Sequence, residues 1–288
     1  MKSDLEQSVK EKLKTLARTR AIPFPQLWRI LILERFLARI SYSPYRDRFI
    51  LKGGILLAKY LPLGRETQDL DFFIQKLSNT EKSLQATLSS ICSMELNDTF
   101  IFELQKILIL KHHPLPYTGA EITLLAKFGA TKTIVQLDLG FGDIVEPIEN
   151  SLVLTTTDKG PLFENQIALR CYPKEFIFAE KLETVIFRGV TNTRMKDFHD
   201  LYSLIILGHL KGDLTKRAIE MVFNHRKTSL ESLPVIFDSQ AYEQLDRAWM
   251  IYLRKINTIK NPVILPESIK GVVESVNHWL KQKTSLLK

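Results

Sequence analysis

An α+β protein is predicted, with a mixed-sheet domain over residues 1–165 and a helical bundle over residues 166–288. Three observations lead to this reading. Residues 49–74 run from a short apolar strand through Gly53-Gly54 into a helix and then into a second strand. Phe100 to Leu110, Glu121 to Phe128 and Thr133 to Phe141 are apolar runs of strand type, separated by turns that contain Pro or Gly. From Pro173 onward, apolar residues recur almost to the end of the chain at the period of a helix.

The elements follow in order. Leu5, Val9, Leu13 and Leu16 stand at intervals of four, four and three, with lysines on the other faces, which predicts an amphipathic helix over the first twenty residues. After Pro23 and Pro25, a denser pattern from Leu27 to Ile40 predicts a core helix stopped at Ser43-Pro44. Ser78-Asn79-Thr80-Glu81 reads as a capping box opening a helix through Leu84, Leu88 and Ile91. The link Gly129-Ala130-Thr131-Lys132 is short enough for a hairpin. Residues 142–170 read as a connection with one short strand at Leu152 to Thr156. Beyond it, helices are expected at Pro173 to Arg188, Leu214 to Phe223, Ala241 to Ile256 and Glu267 to Leu280.

Composition narrows the class. With 288 residues, 45% of them hydrophobic, the chain can build a sizeable core. No run of about 18 apolar residues is present to span a bilayer, and the charged first twenty residues lack the apolar centre of a secretory signal, so a cytoplasmic protein without a membrane partner is expected. Cys92 and Cys171 show no pairing logic and read as thiols of a reducing compartment. The net charge is +8. From Arg170 onward 19 Lys and Arg face 13 Asp and Glu, so most of the surplus is C-terminal, where it suits either a polyanion such as RNA or a solvated helical surface. Arg226-Lys227 and Arg254-Lys255 are the candidate phosphate contacts there.

The chemistry concentrates in Phe49 to Ile74. A glycine pair after a strand lets backbone amides at a helix start approach an anion closely. Asp69 and Asp71, two apart on a strand, leave the same face and can share one or two hard cations, which hold the oxygens of a triphosphate. Asp138 is a carboxylate in an apolar run, and burying it alone would cost several kcal/mol. It therefore calls for a pairing partner or a metal ion; Asp143 and Glu146, a few positions on, are the alternative carboxylates. His112 and His113 precede a proline-rich turn and read as an exposed loop.

The glycine pair followed by Asp69-Leu70-Asp71 resembles the signature of polymerase-beta-like nucleotidyltransferases, and within them the AbiEii/AbiGii toxin family. That family reads Lys-Gly-Gly-Thr-x-Leu and then Arg-x-Ser-x-Asp-Leu-Asp-Phe; here the matching residues are Lys52, Gly53, Gly54 and Leu56, then Arg65, Asp69, Leu70, Asp71 and Phe72. Ile55 replaces a frequent hydroxyl residue, and Thr67 replaces the serine. A second block, Ala179-Glu180-Lys181-Leu182 and then Arg194-Met195-Lys196-Asp197-Phe198-His199-Asp200-Leu201, is similar to the family's second motif, with His199 where tyrosine is usual.

The resemblance implies an NTP- and Mg2+-dependent nucleotidyltransferase using two ions held by Asp69, Asp71 and Asp138. It implies nucleotide contacts from Lys52, Gly53, Gly54, Arg65, Thr67, Lys181, Lys196 and Asp197, and catalytic roles for Lys181 and Asp200 beside the three aspartates. An RNA or tRNA 3′ end is the implied acceptor, and the toxin half of a toxin–antitoxin or phage-defence pair, with a cognate antitoxin, the implied role. Transfer to a small molecule or a protein, or nucleotide and RNA binding without turnover, are the alternatives. From spacing alone, Lys181 lies in an apolar helical stripe with Ile177 and Val185, and Lys196 stands four before Asp200, close enough to pair with it.

Overall fold

The structure, a computed structural model, describes residues 2–111, 118–256 and 262–287. His112 and His113 lie outside the described residues. The chain divides into two compact units. The first gathers Met1–Leu56, Thr67–Asp143 and Pro147–Cys171; the second gathers Leu57–Glu66, Ile144–Glu146 and Tyr172–Lys288.

In the first unit, α1 (Lys2–Arg20) buries Val9, Leu13 and Leu16, as its period predicts, and α2 (Phe24–Tyr42) carries Pro25 in its first turn, where a missing N–H costs nothing. Helix α2 is buried along most of its length. Strand β1 (Phe49–Lys52) passes without a loop into α3 (Gly53–Tyr60), and β2 (Leu70–Ile74) follows. Helix α4 (Glu81–Cys92) is capped by Thr80, whose hydroxyl accepts from the Ser83 amide. The cap therefore sits two residues later than the Ser78/Glu81 box suggests, and the helical phase of Leu84, Leu88 and Ile91 is unaffected.

Long strands β3 (Ile101–Lys111), β4 (Thr118–Phe128) and β5 (Thr131–Phe141) form an antiparallel meander. The β4–β5 turn is only Gly129-Ala130, with Gly129 at φ +58°, the left-handed geometry that matches strand twist. Residues 142–170 hold more strand than the single segment expected at Leu152 to Thr156. They contain β6 (Ile148–Val153), the two-residue pair β7 (Thr156–Thr157) and β8 (Gly160–Pro161), and the start of β9 (Gln166–Cys171). Strand β9 pairs parallel with β1 and antiparallel with β6, so sheet-forming residues continue past 165. Its strict alternation, with Ile167, Leu169 and Cys171 buried and Gln166 and Ala168 exposed, is a half-buried strand pattern hidden by a Glu/Asn/Gln-rich approach.

The seven-stranded sheet runs β3-β4-β5-β2-β1-β9-β6, with parallel pairs at β5/β2 and β1/β9. One face, including Leu70, Phe72, Ile122, Leu124, Val135, Leu137 and Leu139, is buried in a core to which α2 and α4 contribute. Alternation therefore puts their neighbours on the other, polar face.

In the second unit, α5 (Lys174–Arg188) starts after Pro173 and ends at Gly189, at φ +50°. It packs on α6 (Met195–Leu207) and α7 (Gly212–Arg226), and α6 packs on α8 (Ser239–Ile256) and α9 (Ile269–Lys283). Trp249 of α8 is fully buried and donates its indole N–H to the Pro266 carbonyl, 2.9 Å away. No helix of the described residues is long and apolar enough to cross a membrane. Cys92 and Cys171 are unpaired thiols, pushed up by burial to about 11 and about 12, a nucleophile's opposite.

Candidate active site

Register builds the site of the first unit. Lys52 of β1 pairs with Asp71 of β2, Asp71 with Asp138 of β5, and Asp138 with Glu121 of β4. Residues paired in this way share a face at strand spacings near 4.8 Å. A row of charged side chains thus crosses four strands on the polar face. Asp69 stands just before β2 and, like Asp138, lines the cavity described below. Asp138 is exposed, because β5 alternates and its apolar neighbours Leu137 and Leu139 point the other way. The desolvation cost expected for a carboxylate in an apolar run therefore does not arise; its place beside Asp71 is what marks it.

Gly53 is required by Asp71. A Cβ on Gly53 would lie 1.8 Å from Asp71 Oδ2, and its φ of +72° is one that side chains disfavour. The Asp71 carboxylate thus packs on the first residue of α3, where helix amides lack intrahelical partners. Gly53→Ala is expected to lose about 1–3 kcal/mol from backbone strain and to displace Asp71. Thermal denaturation checks this: a wild-type midpoint would contradict it.

Lys52 Nζ meets Asp143 Oδ2 at 2.7 Å, next to Gly140, where a Cβ would come within 3.6 Å of both. Of the alternative carboxylates, Asp143 is therefore engaged by Lys52, and Glu146 belongs to the second unit, where it is bonded to Arg217. The donor set Asp69, Asp71 and Asp138 consists of hard oxygens suited to Mg2+. Among the described residues no group of three or more such side chains is already drawn together as a metal cluster.

A cavity of about 350 Å³ opens on the same face. Besides Asp69 and Asp138 it is lined by Lys106, Leu108, Glu121, Thr123 and Gln136. None of these last five is conspicuous in sequence, since each is an outward strand residue, Lys106 and Leu108 just past a register shift in β3.

The second unit holds the other block. Lys181 does not reach out to solvent. Its ammonium sits 2.7 Å from both Asp197 and Asp200 of α6, and its side chain is only 13% exposed. Asp200, fully buried, also receives two 2.7 Å bonds from Arg65, and Asp197 receives one of 2.8 Å from Arg194. Burial pushes the Asp200 carboxyl up, but Lys181 and Arg65 overcome this and hold it down at about 2. Burial likewise works against the charged forms of Lys181 and Arg65, and the aspartates more than restore them. The cluster is thus fully ionised at neutral pH. Lys196 is exposed, and Asp200 takes Arg65 and Lys181 in place of the partner expected four residues before it. Arg65, expected at the nucleotide, is given over to Asp200; the Thr67 hydroxyl, in the first unit, is buried without a hydrogen-bond partner among the described residues. Arg226 is bonded to Glu183 and Glu180, and so is not an open phosphate contact.

His199, in the tyrosine position, is fully buried, with Nδ1 2.7 Å from Tyr252 Oη. Burial lowers it to about 4, against an ordinary 6.5. The unfolded chain therefore takes up a proton below pH 6.5 that the folded chain refuses until about pH 4. Stability is expected to be complete above pH 6.5 and to fall by up to about 1.4 kcal/mol per pH unit between pH 6.5 and 4. Urea titrations across this window check the slope, and His199→Asn should flatten it.

Comparison with known proteins agrees with this architecture. Two solved structures from Helicobacter pylori match with TM-scores of 0.50: JHP933, at 16% identity over 90% of this chain and 94% of that one, and a protein described as a candidate nucleotidyltransferase, at 17% identity over 90% and 97%. They show the fold. No curated protein gives a significant match. A family model described as nucleotidyl transferase AbiEii toxin, type IV toxin–antitoxin system, matches residues 35–273. The family model puts the chain in the class of nucleotidyltransferases. The chain belongs to the AbiEii toxin family, which implies an NTP substrate and an antitoxin partner.

Proposed function

We propose that the polar sheet face of the first unit transfers a nucleotidyl group from an NTP, with Mg2+, to the 3′ end of an RNA such as tRNA. The observation that carries this reading is the β2–β5 register, which sets Asp71 beside Asp138 while Asp71 packs on the glycine that opens α3. Gly53 and Gly54 bring backbone amides to the outer phosphates, and Lys52 supplies a cation on the same side. Asp69, Asp71 and Asp138 would hold Mg2+, which would supply positive charge to the phosphate oxygens. The acceptor hydroxyl attacks the α-phosphorus, the bond to the β-phosphate breaks, and pyrophosphate leaves. Asp138 receives the hydroxyl proton.

By resemblance, Lys181 meets the developing charge and Lys196 and Thr67 add nucleotide contacts. Asp197 and Asp200 keep Lys181 charged and in one position against the like charge of Arg65, and any contact with a triphosphate would exchange one of its carboxylate partners. A cytoplasmic site of action and a part in phage defence follow from the proposed substrates and the family.

The test is incubation of the protein with Mg2+, total tRNA and each labelled NTP in turn, beside Asp71→Asn, read on a denaturing gel. Label is expected on RNA with the unmutated protein alone. Asp71 is half-buried near the start of β2 and Asn keeps its shape, so Asp71→Asn should melt normally while transfer falls below detection. Transfer retained in that variant would sink the assignment.

A further inference from the structure

The cavity of the polar face starts at Asp69 and Asp138 and extends over β4 and β3, away from β1. Sheet order runs β3-β4-β5-β2-β1, so Asp71 on β2 has Gly53 and Lys52 toward β1, and Asp138, Glu121 and the cavity toward β5, β4 and β3. Displacement at phosphorus is in line: the attacking oxygen and the leaving pyrophosphate stand on opposite sides of the α-phosphorus. With the outer phosphates at the glycines, the attacking group must arrive from the β5 side. That is where the cavity is.

We propose that this cavity, walled at one end by Asp69 and Asp138 and beyond them by Lys106, Leu108, Glu121, Thr123 and Gln136, is the acceptor subsite and takes the terminal ribonucleoside of an RNA 3′ end. The inference rests on the RNA reading given above and adds the residues that receive the acceptor. At about 350 Å³ the cavity is within the size range of small-molecule sites, enough for one nucleoside. Its chemistry fits that group. Among the described lining residues Lys106 is the cation, placed for a single phosphodiester, and Leu108, 41% exposed on an otherwise polar surface, offers an apolar wall to a base or sugar. Thr123 donates its hydroxyl to Gln136 Oε1 at 3.1 Å, which turns the Gln136 amide N–H groups outward as donors. Glu121, paired across β4–β5 with Asp138, accepts from a hydroxyl next to the attacking one. In the transfer step the terminal 3′-oxygen forms the new bond to the α-phosphorus, its proton passes to Asp138, and pyrophosphate departs on the β1 side.

The experiment uses the full chain in the Asp71→Asn background and a 5′-fluorescein single-stranded oligoribonucleotide with a free 3′ end, followed by anisotropy in Mg2+. Addition of Lys106→Glu or Gln136→Ala, both at exposed positions, is expected to raise the Kd of the oligonucleotide at least tenfold. The Kd for a labelled NTP should stay within twofold. In the otherwise unmutated protein, the same changes should raise the KM for tRNA and leave the KM for NTP alone. Unchanged oligonucleotide affinity and tRNA KM, with transfer intact, would overturn the subsite and leave the RNA reading standing. A rise in NTP Kd instead would assign the cavity to the nucleotide and overturn it as well. If the protein neither transfers label to RNA nor binds the oligonucleotide, both readings fall together.

Discussion

Asp98→Ala is expected to cost about 3–5 kcal/mol of folding stability, the loss typical of removing one partner from a buried ion pair. Asp98 is 2% exposed and stands between two equally buried guanidinium groups of α2. It accepts from Arg35 Nε at 2.7 Å and from Arg39 Nη1 and Nη2 at 2.9 Å each. Arg39 also donates to the Phe100 carbonyl at 2.7 Å, and Arg35 is bonded to Glu164. Each arginine lies over a ring, Arg35 over Phe163 and Arg39 over Phe102, at 4.5 and 4.8 Å from the centroids. Without Asp98, Arg39 keeps only carbonyl partners, and one positive charge stays buried without a carboxylate. Chemical denaturation measures the loss. Arg35→Met with Asp98→Leu, which removes charge from both sides, should lose less than the sum of the single changes. Additive losses would show that the charges do not depend on one another.

This network indicates where sequence reasoning stops. Helix α2 was legible as a core helix, because its apolar spacing is local information. Arg35 and Arg39 were not legible as buried, because what permits their burial is Asp98, about sixty positions away, and Glu164, farther still. The same division runs through the candidate site. Gly53-Gly54 and Asp69-Leu70-Asp71 announce themselves within one strand–helix–strand. Glu121 does not, since only the long-range register of β4 on β5 carries it to Asp138. Strand β9 is hard to read locally for a related reason: six residues of alternation after a polar connection are a weak signal, and their place between β1 and β6 is decided by pairing. In the second unit, the helical spacing of Asp197 and Asp200 correctly puts them on one face, but spacing also offers Lys196 as a partner. Arg65 and Lys181 reach Asp200 in its place, and they come from outside α6.

That cluster supports the second large effect. Asp200→Ala is expected to destabilise the protein by about 3–5 kcal/mol, since it strips Arg65 of its bidentate carboxylate and Lys181 of one of two. Charge-assisted forked bonds of this kind are among the stronger polar contacts, and here both cations are largely shielded from water. Because the Asp200 carboxyl is held near 2 in the folded chain against an ordinary 3.8, its contribution is whole above about pH 4. It then drains away as pH falls toward 2, by about 2 kcal/mol in all. In Asp200→Ala that portion of the acid limb should vanish. Urea unfolding at pH 7 and at pH 3 therefore separates the wild type from the variant, with the gap between them narrower at the lower pH. A gap that is the same at both would mean that Asp200 acts through shape and not through charge. Asp200→Asn gives the complementary result: it preserves shape and one acceptor, so loss of transfer beyond what its stability explains would place this carboxylate in the chemistry as well as in the fold.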